Sequence, residues 1–353
     1  MYLIKLAFRN YFRNTRRSII SGISVAIAIT AIIFFHSYIR GANKNIGENV
    51  INLLSGHIRI TTKEYERRER LIPLSESIPL SAEFYNSLNN KDIIMVSPRI
   101  KFGVLLGKEE MSIPALGYAI APEKEVDISG LDKRIIEGSY IAPNENAAIL
   151  GKNLAARLNV KVGDILTIIT KTAYDSPSGI NLLVKGIFST GMGGIDRSLF
   201  YIPLDVGQRL LDLEGSATEI VIIIKNPDRA VDVAHSIKSH TDYSVIPFQY
   251  NPILRYINSV SIVLSIFYFI VLLVACSTIA NTMMMVVLER TKEIGMMKAM
   301  GLNNLSVVGL LTLEAGIIGF VGSLLGAIFG AILSYWLKYQ GLDFSKMASS
   351  SAS

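Results

Sequence analysis

Few side chains in this 353-residue sequence are of types that do chemistry, and their spacing argues against most of it. His36, His57, His235 and His240 include no pair at the spacing that sets two ligands on one helix face, and no CxxC occurs, so no metal centre is expected. Cys276, the single cysteine, lies in an apolar run and leaves no disulfide framework to build on. Two stretches come nearest to a phosphate cradle. GVLLGKE at 103–109 lacks the G-x-x-x-x-G-K-[ST] spacing and the hydroxyl that holds magnesium. STGMGGIDRS at 189–198 is not followed by a convincing amphipathic helix, so its glycines read as turn residues. The chain carries no catalytic constellation and is not expected to be an enzyme. Glu314 is the one Asp, Glu, Lys or Arg out of place, because it falls inside an apolar run, where charged side chains cost about 2.5–3.5 kcal/mol on insertion scales. It should face a partner helix or the interface, and a proton relay has no visible partner.

The elements that must carry these residues are set by hydropathy. Half of the residues are apolar, only 18% are charged and the mean hydropathy is +0.40. Three segments hold most of the apolar residues: 18–39, 257–288 and 305–337. Each exceeds the roughly 20 residues that cross about 30 Å of hydrocarbon, so a multi-pass protein of the cytoplasmic membrane is expected. The first segment is longer than the core of a cleaved signal peptide, which favours a retained anchor. Lys5, Arg9, Arg13, Arg16 and Arg17 precede it without an acidic residue, which places the N-terminus in the cytoplasm. Residues 40–256 then lie outside, 289–304 inside and a tail at 338–353 outside. In 40–256, 25 basic and 25 acidic residues cancel, so the formal charge of +6 reports topology rather than a nucleic-acid partner. The four-residue repeat of Lys5, Arg9 and Arg13 suggests that 1–17 forms an interfacial amphipathic helix against membrane lipid.

Between the first two spans the pattern is α+β. Strands are expected at 56–62, 92–100, 111–118, 164–171, 181–188, 198–203 and 218–225, with helices at 81–90, 151–158, 204–213 and 227–239. A charged, proline-ended passage suggests a subdomain boundary near residue 80. The loop TAYDSPSGIN at 172–181 carries Tyr174 and Pro177 at its expected tip, where they form a candidate partner hook or a plain variable surface loop. The expected fold is therefore an α-helical transmembrane domain with a large extracytoplasmic α+β domain inserted between the first and second spans.

The stretch ERTKEIGMMKAMGLNN, 289–304, is charged, short and held between two spans. Glu289, Arg290, Lys292, Glu293 and Lys298 suit a helix of some three turns with Ile294, Met297 and Met300 available to bury and Gly301 to stop it. Such a helix is marginal alone. Pattern supports equally a plug held in a groove of a cytoplasmic protein and a solvated re-entry turn.

ERTKEIGMMKAMG resembles the E-R-x-x-E-I-G-x-x-x-A-x-G signature of FtsX/MacB/LolC-type ABC transporter permeases, with Glu289, Arg290, Glu293, Ile294, Gly295, Ala299 and Gly301 at the matching positions. GHIRI and LGKNLAARLNVKVGD extend the resemblance into the outer domain. It implies a coupling helix docked on a cytoplasmic ATP-binding cassette subunit, which holds the ATP and magnesium, and no cofactor on this chain. It also implies a second permease copy or a homologous permease, and an extracytoplasmic lipoprotein chaperone in the lipoprotein-releasing branch. It implies four spans as well, of which the hydropathy of these 353 residues marks three.

In the third span Gly319, Gly322, Gly326 and Gly330 allow close helix packing. The second span is longer than a bilayer requires, so it is expected to rise as a stalk beside the segment after the first span. There Ile46, Val50, Leu53 and Leu54 share a stripe, read either as a cargo surface for acyl chains or as a packing seam between stalks. Lipoprotein release or amphiphile export leads as the expected function. A non-transporting signalling subunit that activates a cell-wall hydrolase is the alternative, favoured less because the outer segment is large. A membrane enzyme with an outer active site has almost no support.

Overall fold

The computed structural model describes residues 15–88, 90–108 and 111–340. The expected amphipathic helix at 1–17 and tail at 338–353 fall outside these residues except at 15–17 and 338–340, which belong to long helices. The chain divides into two compact units, 1–44 with 257–353, and 45–256.

The first unit is helical. Apolar sequence without a proline break gives α1 (Thr15–Asn49) and supplies most of α9 (Pro252–Glu289) and α11 (Asn304–Gln340). Between the last two lies α10 (Thr291–Ala299). Among the described residues, three helices are long and apolar enough to cross a membrane. Their lipid-sized faces remain exposed, as at Ile262, Phe269, Phe320 and Phe329.

The second unit is α+β. Its strands are β1 (Ile58–Thr61), β2 (Ile78–Pro79), β3 (Ile93–Lys108), β4 (Met111–Ile120), β5 (Ile135–Gly138) and β6 (Ala147–Gly151). They continue with β7 (Ile165–Lys171), β8 (Pro177–Phe188), β9 (Leu199–Pro203), β10 (Ser216–Ala217), β11 (Glu219–Ile224) and β12 (Ser244–Pro247). The main sheet runs β12-β1-β11-β3-β4-β9-β6-β8-β5, and β7 pairs with both β3 and β8. That double pairing closes β3-β4-β9-β6-β8-β7 into a ring. Alternation drives it: in β7, Leu166, Ile168 and Thr170 point inward while Ile165, Thr167 and Ile169 stay exposed. β6 instead is AAILG, buried at every position and flanked by β8 and β9.

Helices α2 (Lys63–Arg67), α3 (Ala82–Ser87), α4 (Pro122–Ser129), α5 (Lys152–Leu158), α6 (Gly193–Ser198), α7 (Leu204–Leu211) and α8 (Ala230–Lys238) surround the sheet. Thr62 and Ser81 cap α2 and α3 by accepting from the Tyr65 and Phe84 amides at 3.0 and 3.1 Å. The boundary expected near residue 80 is not there. Ile58 and Ile60 before it share one core with Phe84, Leu88 and Ile100 after it, because β1 pairs with the distant β11. A second core gathers Leu53, Tyr118, Ile120, Leu131, Phe188 and Tyr201.

Candidate functional site

The segment between α9 and α11 is built as a hairpin of helices with a short helix at its turn. Backbone bonds cross the first junction, from Arg290 to the Val286 carbonyl at 3.0 Å and from Ile294 to the Arg290 carbonyl at 2.9 Å. At the second, Gly301 adopts φ +94°, donates to the Lys298 carbonyl at 3.0 Å, and is followed by Leu302 donating to the Met297 carbonyl at 3.0 Å. This pair of bonds is a Schellman stop, and the left-handed residue it requires is best supplied by glycine.

The eight residues assigned to coupling separate into different environments. Glu289, Gly295, Lys298, Ala299 and Gly301 are exposed, whereas Glu293 and Ile294 are half-buried. Arg290 departs from the expectation of a docking residue, because its side chain is buried and donates from Nη1 to Oε1 of the buried Glu314 at 3.3 Å. Two charges removed from water hold each other at this position, which accounts for a carboxylate inside an apolar helix. Met296 and Met300 are 61% and 79% exposed, adaptable apolar side chains next to Lys298. The sequence pattern marked Met300 for burial and did not single out Met296.

The glycines of α11 face two ways. A Cβ on Gly322 would lie 2.7 Å from the Gly22 carbonyl oxygen, one on Gly326 2.5 Å from that of Ala26, and one on Gly330 3.0 Å from Cβ of Ile33. Thr30 Oγ1 donates to the Gly326 carbonyl at 3.1 Å, so this seam is against α1. Gly319 looks elsewhere, toward Ile279 of α9 at 3.7 Å. Ser21 and Thr282 share a hydroxyl hydrogen bond of 2.6 Å between α1 and α9.

Sequence comparison supports one family along the chain. The family described as MacB-like periplasmic core domain matches residues 18–240, and that described as FtsX-like permease C-terminal matches 265–352. The chain belongs to the FtsX/MacB/LolC family of ABC transporter permeases. The permease is 23% identical to the lipoprotein-releasing system transmembrane protein LolC of Xylella fastidiosa, over 93% of this chain and 81% of the relative. It is 26% identical to an uncharacterized ABC transporter permease of Methanocaldococcus jannaschii, over 94% of this chain and 83% of the relative. A solved periplasmic region of MacB from Actinobacillus actinomycetemcomitans aligns with a TM-score of 0.40 and 17% identity, covering 57% of this chain and 92% of that one. The permease is a multi-pass protein of the cytoplasmic membrane with a large domain outside the cytoplasm. As a family, these proteins are membrane subunits rather than the ATPase, and membership implies a cassette partner and a related permease.

In the outer domain of the permease, Tyr174 is 79% exposed at the tip between β7 and β8. Pro177 does not share that tip, because it opens β8 opposite Lys171 and lengthens the hairpin beyond the expected loop. The stripe read either as a cargo surface or as a seam between stalks is largely turned into the domain. Val50 and Leu53 are each 1% exposed, Ile46 and Leu54 are half-buried, and Leu53 and Leu54 belong to the second core. The reason is a π-helix at Val50–Ser55, whose wider turn departs from the α-helical spacing used to draw the stripe. At 189–198 the glycine-rich stretch folds onto its own carboxylate: Asp196 accepts from the Thr190 amide at 2.9 Å, Thr190 Oγ1 at 2.7 Å and Ser189 Oγ at 3.0 Å. It is a closed loop ending in the short α6.

A charged patch sits under β1. Arg59 donates from Nη1 and Nη2 to the two carboxylate oxygens of Glu69 at 2.5 and 3.0 Å, and that pairing lowers the Glu69 carboxyl to about 2. Glu219, fully buried on β11 with Arg59 at 3.7 Å, is raised above the ordinary carboxylate value by burial.

Proposed function

We propose that this permease is the membrane subunit of an ATP-binding-cassette complex that carries motion from a cytoplasmic ATPase to its outer domain, for lipoprotein release or export of an amphiphile. The observation that carries this reading is α10: nine residues with exposed Met296, Lys298 and Met300, set between two long apolar helices and fixed at its start by Arg290 to Glu314. A short helix braced this way can be pushed without dissolving, which a solvated turn cannot. The names of the LolC relatives support lipoprotein as cargo. In this reading the N-terminus and α10 face the cytoplasm, 45–256 lies outside, ATP and magnesium reside on the cassette subunit, and a second permease completes the complex. Tyr174 is the side chain offered to an extracytoplasmic partner such as a lipoprotein chaperone.

The test is Glu293→Lys in the full complex. Insertion and outer-domain stability should match wild type, while cassette copurification or stimulated ATPase activity falls. Unchanged binding and coupling refute α10 as the docking element. Activation of a cell-wall hydrolase without any cargo movement would replace transport by signalling.

A further inference from the structure

Where α1 ends, the π-helix Val50–Ser55 leaves main-chain carbonyls that its own turn does not satisfy. Gly56 donates to the Ile51 carbonyl at 2.6 Å, and Ser55 Oγ reaches that of Val50 at 3.3 Å. The next three carbonyls meet a guanidinium. Arg99 Nη1 donates to the Leu53 carbonyl at 2.9 Å and to that of Leu54 at 3.4 Å, and Nη2 donates to that of Asn52 at 3.4 Å. The same fork holds Glu125 of α4, from Nε to Oε1 at 2.7 Å and from Nη2 to Oε2 at 2.8 Å. Arg99 has no exposed surface and Glu125 is 1% exposed. Ser97 Oγ adds a bond to Glu125 Oε1 at 3.1 Å.

The position of Arg99 in the sheet matters as much as its contacts. It lies on β3 at the residue where that strand passes from one neighbour to the other, opposite Glu219 of β11 and Ile120 of β4. A planar, permanently charged fork can bind a carboxylate with one edge and carbonyls with the other, which a lysine ammonium cannot match in direction. Carbonyls at a helix end carry partial negative charge and favour a cation. Burying this cation against a carboxylate alone would gain little stability. The geometry therefore selects a joint between three elements: the helix end, the central strand and α4.

We infer that Arg99 is a positioning residue that fastens the end of the first long helix to the sheet, so that displacement of the helix is handed to the outer domain through this side chain. The inference rests on the reading that motion is transmitted through the permease. It assigns Glu125 as the carboxylate that orients the fork.

The test uses the full chain in lipid nanodiscs, with its cassette partner present for the second measurement. One variant combines Arg99→Met with Glu125→Gln, which removes both charges so that neither is left buried alone; the other is Arg99→Lys. Backbone hydrogen exchange at 51–56 should speed by about tenfold or more in the double variant, the scale expected for losing a charge-assisted hydrogen bond. Protection in β6, β8 and β9 should stay, and Arg99→Lys should fall between. Unchanged exchange at 51–56, or equal loss throughout the sheet, overturns the joint. For movement, Ser176→Cys is placed on a Cys276→Ser background, and its maleimide reactivity is compared with and without ATP hydrolysis. The double variant should keep ATPase activity and lose the ATP-linked difference; a retained difference overturns the handing-on of motion at Arg99. If the chain with native Arg99 shows no such difference, the transmission reading fails, and exchange still decides whether Arg99 holds the helix end.

Discussion

The imidazole of His57 accepts a hydrogen bond at Nδ1 from the Ile224 amide at 3.1 Å, joining the start of β1 to the end of β11, and burial lowers its pKa from the ordinary 6.5. The sign follows from linkage. A lowered value in the folded state means that the unfolded chain takes up the proton first, so stability is present above about 6.5 and lost as pH falls through the folded value. The outer-domain melting temperature should drop as pH goes from about 7.5 to about 5.5, and His57→Asn, which keeps an acceptor but no titration, should flatten that slope. An unchanged slope would remove His57 from the account. Arg290 and Glu314 make the second residue-scale prediction. Glu314→Leu takes a carboxylate from a buried guanidinium and should destabilise the solubilised permease, by up to about 3–5 kcal/mol, whereas adding Arg290→Met should recover most of the loss. Thermal unfolding in detergent reads both, and equal losses in the single and double variants would show that no pair is at work.

Among the elements, α11 is the one whose packing can be tested glycine by glycine. Gly326→Ala should push α11 from α1, because the new Cβ would meet the Ala26 carbonyl oxygen at 2.5 Å, while the Cβ of Gly309→Ala meets no atom within 4 Å. The first should lower the melting temperature in detergent by several degrees, on the scale of about 1–3 kcal/mol for overpacking, and the second should leave it unchanged. The GxxxG spacing made this seam legible in the sequence, but not its partner, since spacing defines a face and not what covers it. The same limit explains β5, β6 and β12, which the pattern did not mark. IIEG, AAILG and SVIP are too short for alternation to separate from loop or helix, and only pairing with distant strands makes them strands. GVLLGKE, which lacks the spacing of a nucleotide loop, falls through Lys108 in the second half of the longest described strand. Arg99 carried no signal at all, because a lone arginine in a strand-like run resembles a surface residue until α4 and the helix end close over it.

At the scale of the whole molecule, the charged stretch at 289–304 made the family readable, and the proposed topology rests on hydropathy and the basic N-terminal flank. On a Cys276→Ser background, Ser176→Cys should react with an impermeant maleimide on intact spheroplasts, and Asn303→Cys only after lysis; reversed labelling would invert the proposed orientation. The sheet order carries a further consequence for how the chain is made. β1 lies between β11 and β12, so its hydrogen bonds wait for residues as late as 244–247, just before α9 begins at Pro252. A chain synthesised from its N-terminus therefore delivers the first strand long before either neighbour exists, and long-range pairing of this kind closes slowly. Until then Ile58 and Ile60 stand as an open apolar edge on the far side of the membrane, so the interval between translation of 58 and of 247 is when this domain is most exposed to proteolysis and to mispairing with another nascent copy.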